Sequence, residues 1–368
     1  MARSNMLCSN GGIELVPEIC LRVLEFVIYM DPRDIKCLLC ISKSLTSLLK
    51  SHEKSITKRL TRGCGLLLFV NGENEIIRSS SRINAGNVGL VKYTYPWFWE
   101  IRYRKLTLFF LVDHEITCMK GELEAQPGWP TLNVSKLELG LRLRGFRYNA
   151  ICLLFRLSDC TAGLNSTLEI RATQDKFLRG LCVEELATLG VMVEVMGHNF
   201  FVMMKRLVAE SGLIRNSQSA DIAQSASGYE LSPRAPTLDL RDDIWIRETM
   251  CVFEDLVQRY GPTFARAYLE NSRGKSLRSD VWARKKILEG LDNMNAFELG
   301  YTMSFASLQS VVWRIFRKKE GCTDRDSWTV AKEIVVSEML SYRLKGDLPS
   351  CFQASYPDSS EDNNSSDN

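Results

Sequence analysis

Much of what the sequence establishes at first comes from what it lacks. Its 368 residues hold only three histidines, and the formal net charge is +3. A balance so near neutral gives no electrostatic argument for nucleic acid or an anionic membrane surface. The opening "MARSNMLCSNGG" has no uninterrupted apolar core of the kind a secretory signal needs. No wholly apolar run approaches the roughly 18 residues of a membrane span. The twelve cysteines follow no even framework of spacings, so they read as mostly buried free thiols in a reducing compartment. These absences set the expectation of an intracellular protein, in cytoplasm or nucleus, with neither a nucleic-acid nor a membrane partner.

Catalytic signatures are missing as well. There is no nucleophile elbow, paired-histidine motif or dinucleotide fingerprint. Gly274-Lys275-Ser276 matches the end of a phosphate-binding loop, but the glycine that should stand five residues before Gly274 is Leu269. The segment before it also reads as helix rather than strand, so the match is accidental. Cys37-x-x-Cys40 has the spacing of half a zinc or redox site. No second pair completes it, and both cysteines are expected to pack in a core without metal. Asp113-His114-Glu115 places an imidazole between carboxylates. Neighbours on a strand point to opposite faces, so the trio is expected to be a strand-end loop rather than an acid–base site. No cofactor, metal or catalytic residue is expected.

What the chain does have is concentrated near its start. In "LVPEICLRVLEFVIYMDPRDIKCLLCISKSL", residues 15 to 45, Pro17 suits the first position of a helix, where its missing N–H costs nothing. Ile19, Val23, Phe26 and Met30 then fall at helical spacing, and Cys20, Leu24 and Ile28 form a second stripe beside them. Asp31, Pro32 and Asp34 start a second helix, with Ile35, Leu38, Leu39, Ser42, Leu45 and Leu49 as its core face. A basic third piece runs to Arg62. Fewer than about 50 residues cannot enclose so much apolar surface. Part of it must meet the rest of the chain or another protein.

These residues resemble an F-box. The matching positions are Val16-Pro17-Glu18-Ile19, Leu24, Asp34-Ile35, Leu38 and Ile41-Ser42-Lys43. The likeness covers residues 13–62 and departs from the pattern in three places. Val16 stands where leucine is usual, Leu45 where an aromatic is common, and the spacer between the first two helices is longer than typical. The resemblance implies a three-helix module that binds a Skp-family adaptor, and through it a cullin ubiquitin ligase. The docking residues it implies are Leu15, Val16, Pro17, Glu18, Ile19, Leu24, Asp34, Ile35, Leu38 and Ile41. The remaining chain would then recruit a target protein. The alternative is an interaction scaffold with an F-box-like domain and no ligase role.

Beyond residue 62 the expected class is α+β or α/β. "LLLFVNGENEII" surrounds Asn71-Gly72, a short-hairpin signal. Residues 105–112, 135–144, 166–172 and 191–197 read as strands, and 150–157, 174–189 and 198–211 as helices. That alternation over 63–213 suggests a parallel α/β layer or a leucine-rich-repeat-like arc, without the asparagine ladder of true repeats. A linker over 214–237 follows, then a mostly helical region over 238–350 and an acidic, disordered tail over 353–368. Three basic groups, Lys54/Lys58/Arg59/Arg62, Arg284/Lys285/Lys286 and Arg314/Arg317/Lys318/Lys319, are expected to be solvated helix faces. Trp97, Phe98 and Trp99 lie consecutively around Pro96, an aromatic group expected to form a buried corner under the sheet.

Overall fold

Pro17 and Glu18 open α1 (Pro17–Met30), which ends where Asp31 turns extended. The structure is a computed structural model, and it describes residues 16–31, 34–64, 77–79, 89–119, 135–223, 240–270, 278–298 and 308–341. α2 (Asp34–Ile41) follows. Ser42 then caps α3 (Lys43–Gly63), its Oγ accepting from the Leu45 N–H at 3.1 Å. The Thr46 hydroxyl donates to the Leu39 carbonyl at 2.7 Å and so joins α3 to α2. Among the described residues a single antiparallel ladder pairs β1 (Ile77–Arg78) with β2 (Gly89–Leu90), with Ile77 opposite Leu90. The Asn71-Gly72 turn expected in this region lies outside the described residues.

Among the described residues the chain forms two compact units, and the division falls inside α4 (Tyr95–Val112), between Leu106 and Thr107. In the first unit Leu21, Leu24 and Ile28 of α1, Ile35 of α2 and Leu45, Leu49, Ile56 and Leu60 of α3 share one core with Tyr95, Trp97, Phe98 and Ile101. Polar contacts fix this packing. The Tyr95 hydroxyl donates to the Leu49 carbonyl at 2.9 Å, and Glu53 accepts from the Tyr95 N–H at 2.6 Å. Arg102 donates to the Tyr29 and Met30 carbonyls, which are orphan acceptors at the C-terminal end of α1. Lys105 does the same for α3, reaching the Cys64 carbonyl at 2.8 Å.

The second unit is helical, and this overturns the α/β expectation. α5 (Lys136–Asp159), α6 (Thr167–Gly180) and α7 (Val183–Ala223) are followed by α8 (Leu240–Tyr260), α9 (Pro262–Leu269), α10 (Arg278–Glu298), α11 (Leu308–Glu320) and α12 (Ser327–Ser341). Residues 105–112, expected as a strand, are the end of α4. Residues 135–144 open α5, 166–172 open α6 and 191–197 lie within α7. There is no repeat arc and no parallel layer among the described residues; the only sheet there has two strands. The segment 174–189, expected as one helix, breaks after Gly180, and α7 begins at Val183. The helix expected over 198–211 is part of α7, which runs on to Ala223, into the segment read as a linker.

The reason is visible in α7. It packs against α5, α8, α11 and α12 together. Leu186, Ala187, Leu189, Val191, Met192, Val193, Val195 and Met196 are all buried. A helix enclosed on several sides needs apolar residues all round it, so the 3.6-residue rhythm disappears from its sequence. Val183–Leu207 is even long and apolar enough to cross a membrane, with a mean hydropathy of 1.4, but two-thirds of its apolar window is buried inside the protein. It is the core helix of this unit. At Gly190 a methyl group would stand 3.1 Å from the Trp313 indole, which lets α11 come close. Phe200 stacks on Phe253 of α8 at 4.4 Å. Arg171 and Gln174 of α6 bond Asp255 and Gln258 of α8, a buried polar tie between the two helices.

Candidate partner-binding site

Turning α1 so that Leu21, Leu24 and Ile28 face the core leaves the other stripe outward. Val16, Ile19, Val23, Phe26 and Met30 are 56%, 50%, 47%, 65% and 61% exposed. Their spacing of three and four residues places them in one row about 20 Å long, at 1.5 Å of rise per residue. Ile41, at the end of α2, is 44% exposed as well. A scattered apolar side chain on a surface needs no explanation, but a continuous row of this kind is a candidate interaction surface. Glu18 and Arg22 are exposed beside the row, whereas Glu25 is buried and ion-paired with Arg59. The Arg102 guanidinium lies 5.9 Å from the centre of the Tyr29 ring, near the far end of the row.

The residues that the F-box likeness implies for docking therefore divide. Val16, Glu18, Ile19 and Ile41 are exposed. Leu24 and Ile35 are 3% and 7% exposed and sit in the first unit's own core, and Leu38 packs against that core. Those three support the face from behind and do not form it. Leu15 lies outside the described residues. Pro17 and Asp34 open helices, but their side chains are not among those described. Val23, Phe26 and Met30 belong to the face but not to the implied set. Their signal was in the sequence as the first of the two helical stripes. What the stripes alone left open was which one turned inward, and packing on α2 and α3, in a core shared with Tyr95, Trp97 and Phe98, decides it.

The remaining motifs form no site among the described residues. Cys37 and Cys40 are exposed rather than in the core, one turn apart on α2, and no group of three or more metal-binding side chains exists among the described residues. The core-packing expectation fails because α2 buries Ile35 and packs Leu38 and Leu39, leaving these cysteines on the opposite side. In Asp113-His114-Glu115, which follows a helix and not a strand, the imidazole Nδ1 accepts from the Ile116 N–H at 3.1 Å and starts a short 3-10 turn. Asp113 pairs with Arg144 and Glu115 with Arg206, each at 3.0 Å. This is an anchored turn. Gly274-Lys275-Ser276 falls outside the described residues.

Of the basic groups, Lys54, Lys58 and Arg62 are exposed, Lys286 pairs with Glu289 at 2.5 Å, and Arg317 pairs with Asp324. Trp97 and Phe98, at the start of α4, are both buried in the core that also holds Ile77 of β1, while Trp99 stacks on Tyr103 with ring centres 5.8 Å apart. Comparison with protein-family models, curated proteins and solved structures finds no significant match for this chain.

Proposed function

We propose that α1 to α3 are an F-box-like module that docks on a Skp-family adaptor, making this chain the target-recruiting subunit of a cullin ubiquitin ligase. The observation that carries the reading is the exposed row Val16, Ile19, Val23, Phe26 and Met30 on a helix whose opposite stripe is already covered. Such a row is depleted of charge and rich in large apolar groups, the composition of an interface core. The helical second unit recruits the target, and the protein supplies no catalytic group of its own. It works inside the cell, where Skp adaptors and cullins reside.

The test uses the whole chain, because Tyr95, Trp97, Phe98 and Ile101 complete the core of the first three helices. Co-expressed with a Skp-family adaptor, the chain should co-elute with it in size exclusion, and added cullin should join the complex. Separate elution of a folded chain and adaptor would end the ligase reading. A folded chain that still captures other proteins through α1 would leave the scaffold alternative.

A further inference from the structure

The second unit contains an open cleft of about 540 Å³ between α7, α11 and α12, within the size range of sites that enclose a small ligand. Its walls include Glu194 and His198 from α7, Gln309, Trp313 and Arg317 from α11, and Trp328 from α12. We propose that this cleft binds a basic side chain, arginine or lysine, presented by a peptide segment of another protein.

Glu194 carries the argument. Its Oε2 accepts from both Gln309 Nε2 and Trp313 Nε1, the latter at 3.2 Å, so the carboxylate is held in a fixed orientation. Its Oε1 accepts no hydrogen bond from the described residues and is not sealed from solvent. A carboxylate already positioned, with one oxygen unshared, suits a charge-assisted bond from a guanidinium or ammonium. The Arg317 guanidinium in the cleft wall is engaged elsewhere, ion-paired with Asp324. The Trp313 and Trp328 indoles meet nearly edge to face, 6.1 Å apart at 73°. Trp328 already holds the Lys332 ammonium 5.4 Å from its ring centre, an internal example of the contact that an aromatic wall gives a cation. An acidic side chain would meet Glu194 as a like charge, and an uncharged one would leave its free oxygen without a strong partner.

This assigns a chemistry to the target recruited under the proposed function, and that link rests on the adaptor reading. The affinity itself does not, so it is measured with no adaptor present. The whole 368-residue chain is immobilised and exposed to pooled pentapeptides. Their central residue is fixed as arginine, lysine, citrulline, norleucine or glutamate, and the other positions are randomised. Retained peptides are quantified by mass spectrometry.

Arginine and lysine pools should be retained about tenfold more than citrulline and norleucine, the scale of one charge-assisted bond. Glu194→Gln, which keeps the side chain's shape, should abolish that difference. Because Gln309 and Trp313 bond Glu194, the folding of this variant is checked by thermal melting. A second variant, Ser310→Arg, sets a competing cation at an exposed position lining the cleft and should have the same effect. Equal retention of arginine and citrulline pools by the unaltered chain would overturn the proposal. So would a preference that survives in a folded Glu194→Gln or Ser310→Arg protein. Adaptor co-elution, run separately, reports on the ligase reading alone.

Discussion

Phe26 and Leu24 lie two residues apart on α1 and face opposite ways, which makes them a matched pair for testing the docking face. Phe26 is 65% exposed, and Leu24 is 3% exposed in the core. A phenylalanine side chain buries about 150–250 Å² when fully covered. The part of Phe26 still exposed is thus on the order of 130 Å², worth about 3 kcal/mol at 25 cal/mol per Å² if a partner covers it. Interface anchors commonly retain about 2 kcal/mol of such a figure, or roughly thirtyfold in affinity. Phe26→Ala should therefore weaken adaptor binding about thirtyfold while leaving the melting temperature nearly unchanged, since little of the ring is covered in the free protein. Leu24→Ala should act in reverse, costing about 2–5 kcal/mol of stability through the cavity it leaves. Titration calorimetry reads the affinity, and thermal melting of the same samples reads the fold. Unchanged affinity in folded Phe26→Ala protein would refute the role given to the exposed row. A large loss of stability in that variant would instead show that Phe26 is covered within the chain.

Other expectations can be checked alongside. Val16→Ala with Pro17→Ala should weaken adaptor capture without unfolding the second unit, as followed by calorimetry and melting. Purified protein should carry no stoichiometric zinc by elemental analysis; one zinc per chain, lost on Cys37→Ser, would overturn that. Cys37 and Cys40 should account for two rapidly reacting thiol equivalents that disappear in the double serine variant, whereas burial pushes the Cys160 thiol up to about 12 and should keep it slow. Gly290→Ala should destabilise the second unit by about 1–3 kcal/mol, because the new Cβ would lie 2.3 Å from Val252 Cγ1. Adding Val252→Ala should recover part of the loss, measured as a double-mutant cycle. Burial raises the Asp255 carboxyl above its ordinary value, with the Arg171 charge opposing the shift. A carboxyl with a raised folded-state pKa favours folding at acid pH and loses that contribution as pH rises through the folded value. Asp255→Asn should flatten this part of the stability–pH curve, and an unchanged slope would refute the assignment.

The N-terminal helices were legible because their signals are local. Pro17 at a first turn and two adjacent stripes at helical spacing fixed α1, although the cap at Ser42 was read as part of a core face. The body was misread for two different reasons. In α5 the run Leu137, Leu139, Leu141, Leu143 alternates as a strand would, yet Leu137 is 65% exposed and Leu143 is buried, as a helix start requires. The contrary signal was present: Ser135-x-x-Glu138 is a capping-box pattern, and Ser135 Oγ accepts from the Glu138 N–H at 3.2 Å. Ser166-x-x-Glu169 has the same form at the start of α6, without the side-chain bond. In α7 no local signal could have served, because burial on all sides is a property of its neighbours. The cleft around Glu194 was equally out of reach, since it joins residues more than a hundred positions apart in sequence.

That central helix also imposes an order on synthesis. As the chain is made, Val183–Leu207 emerges before α8, α11 and α12, the helices that later cover it together with α5. Until residue 341 has been added, a rod of 25 residues with the hydropathy of a membrane segment stands partly uncovered. Chaperones that hold apolar segments have their natural opportunity in that interval, and so does the machinery that sorts nascent helices into lipid. A chain cut short anywhere between α8 and α12 would prolong the interval indefinitely, so premature termination there endangers the cell through a sticky fragment as well as through a missing protein.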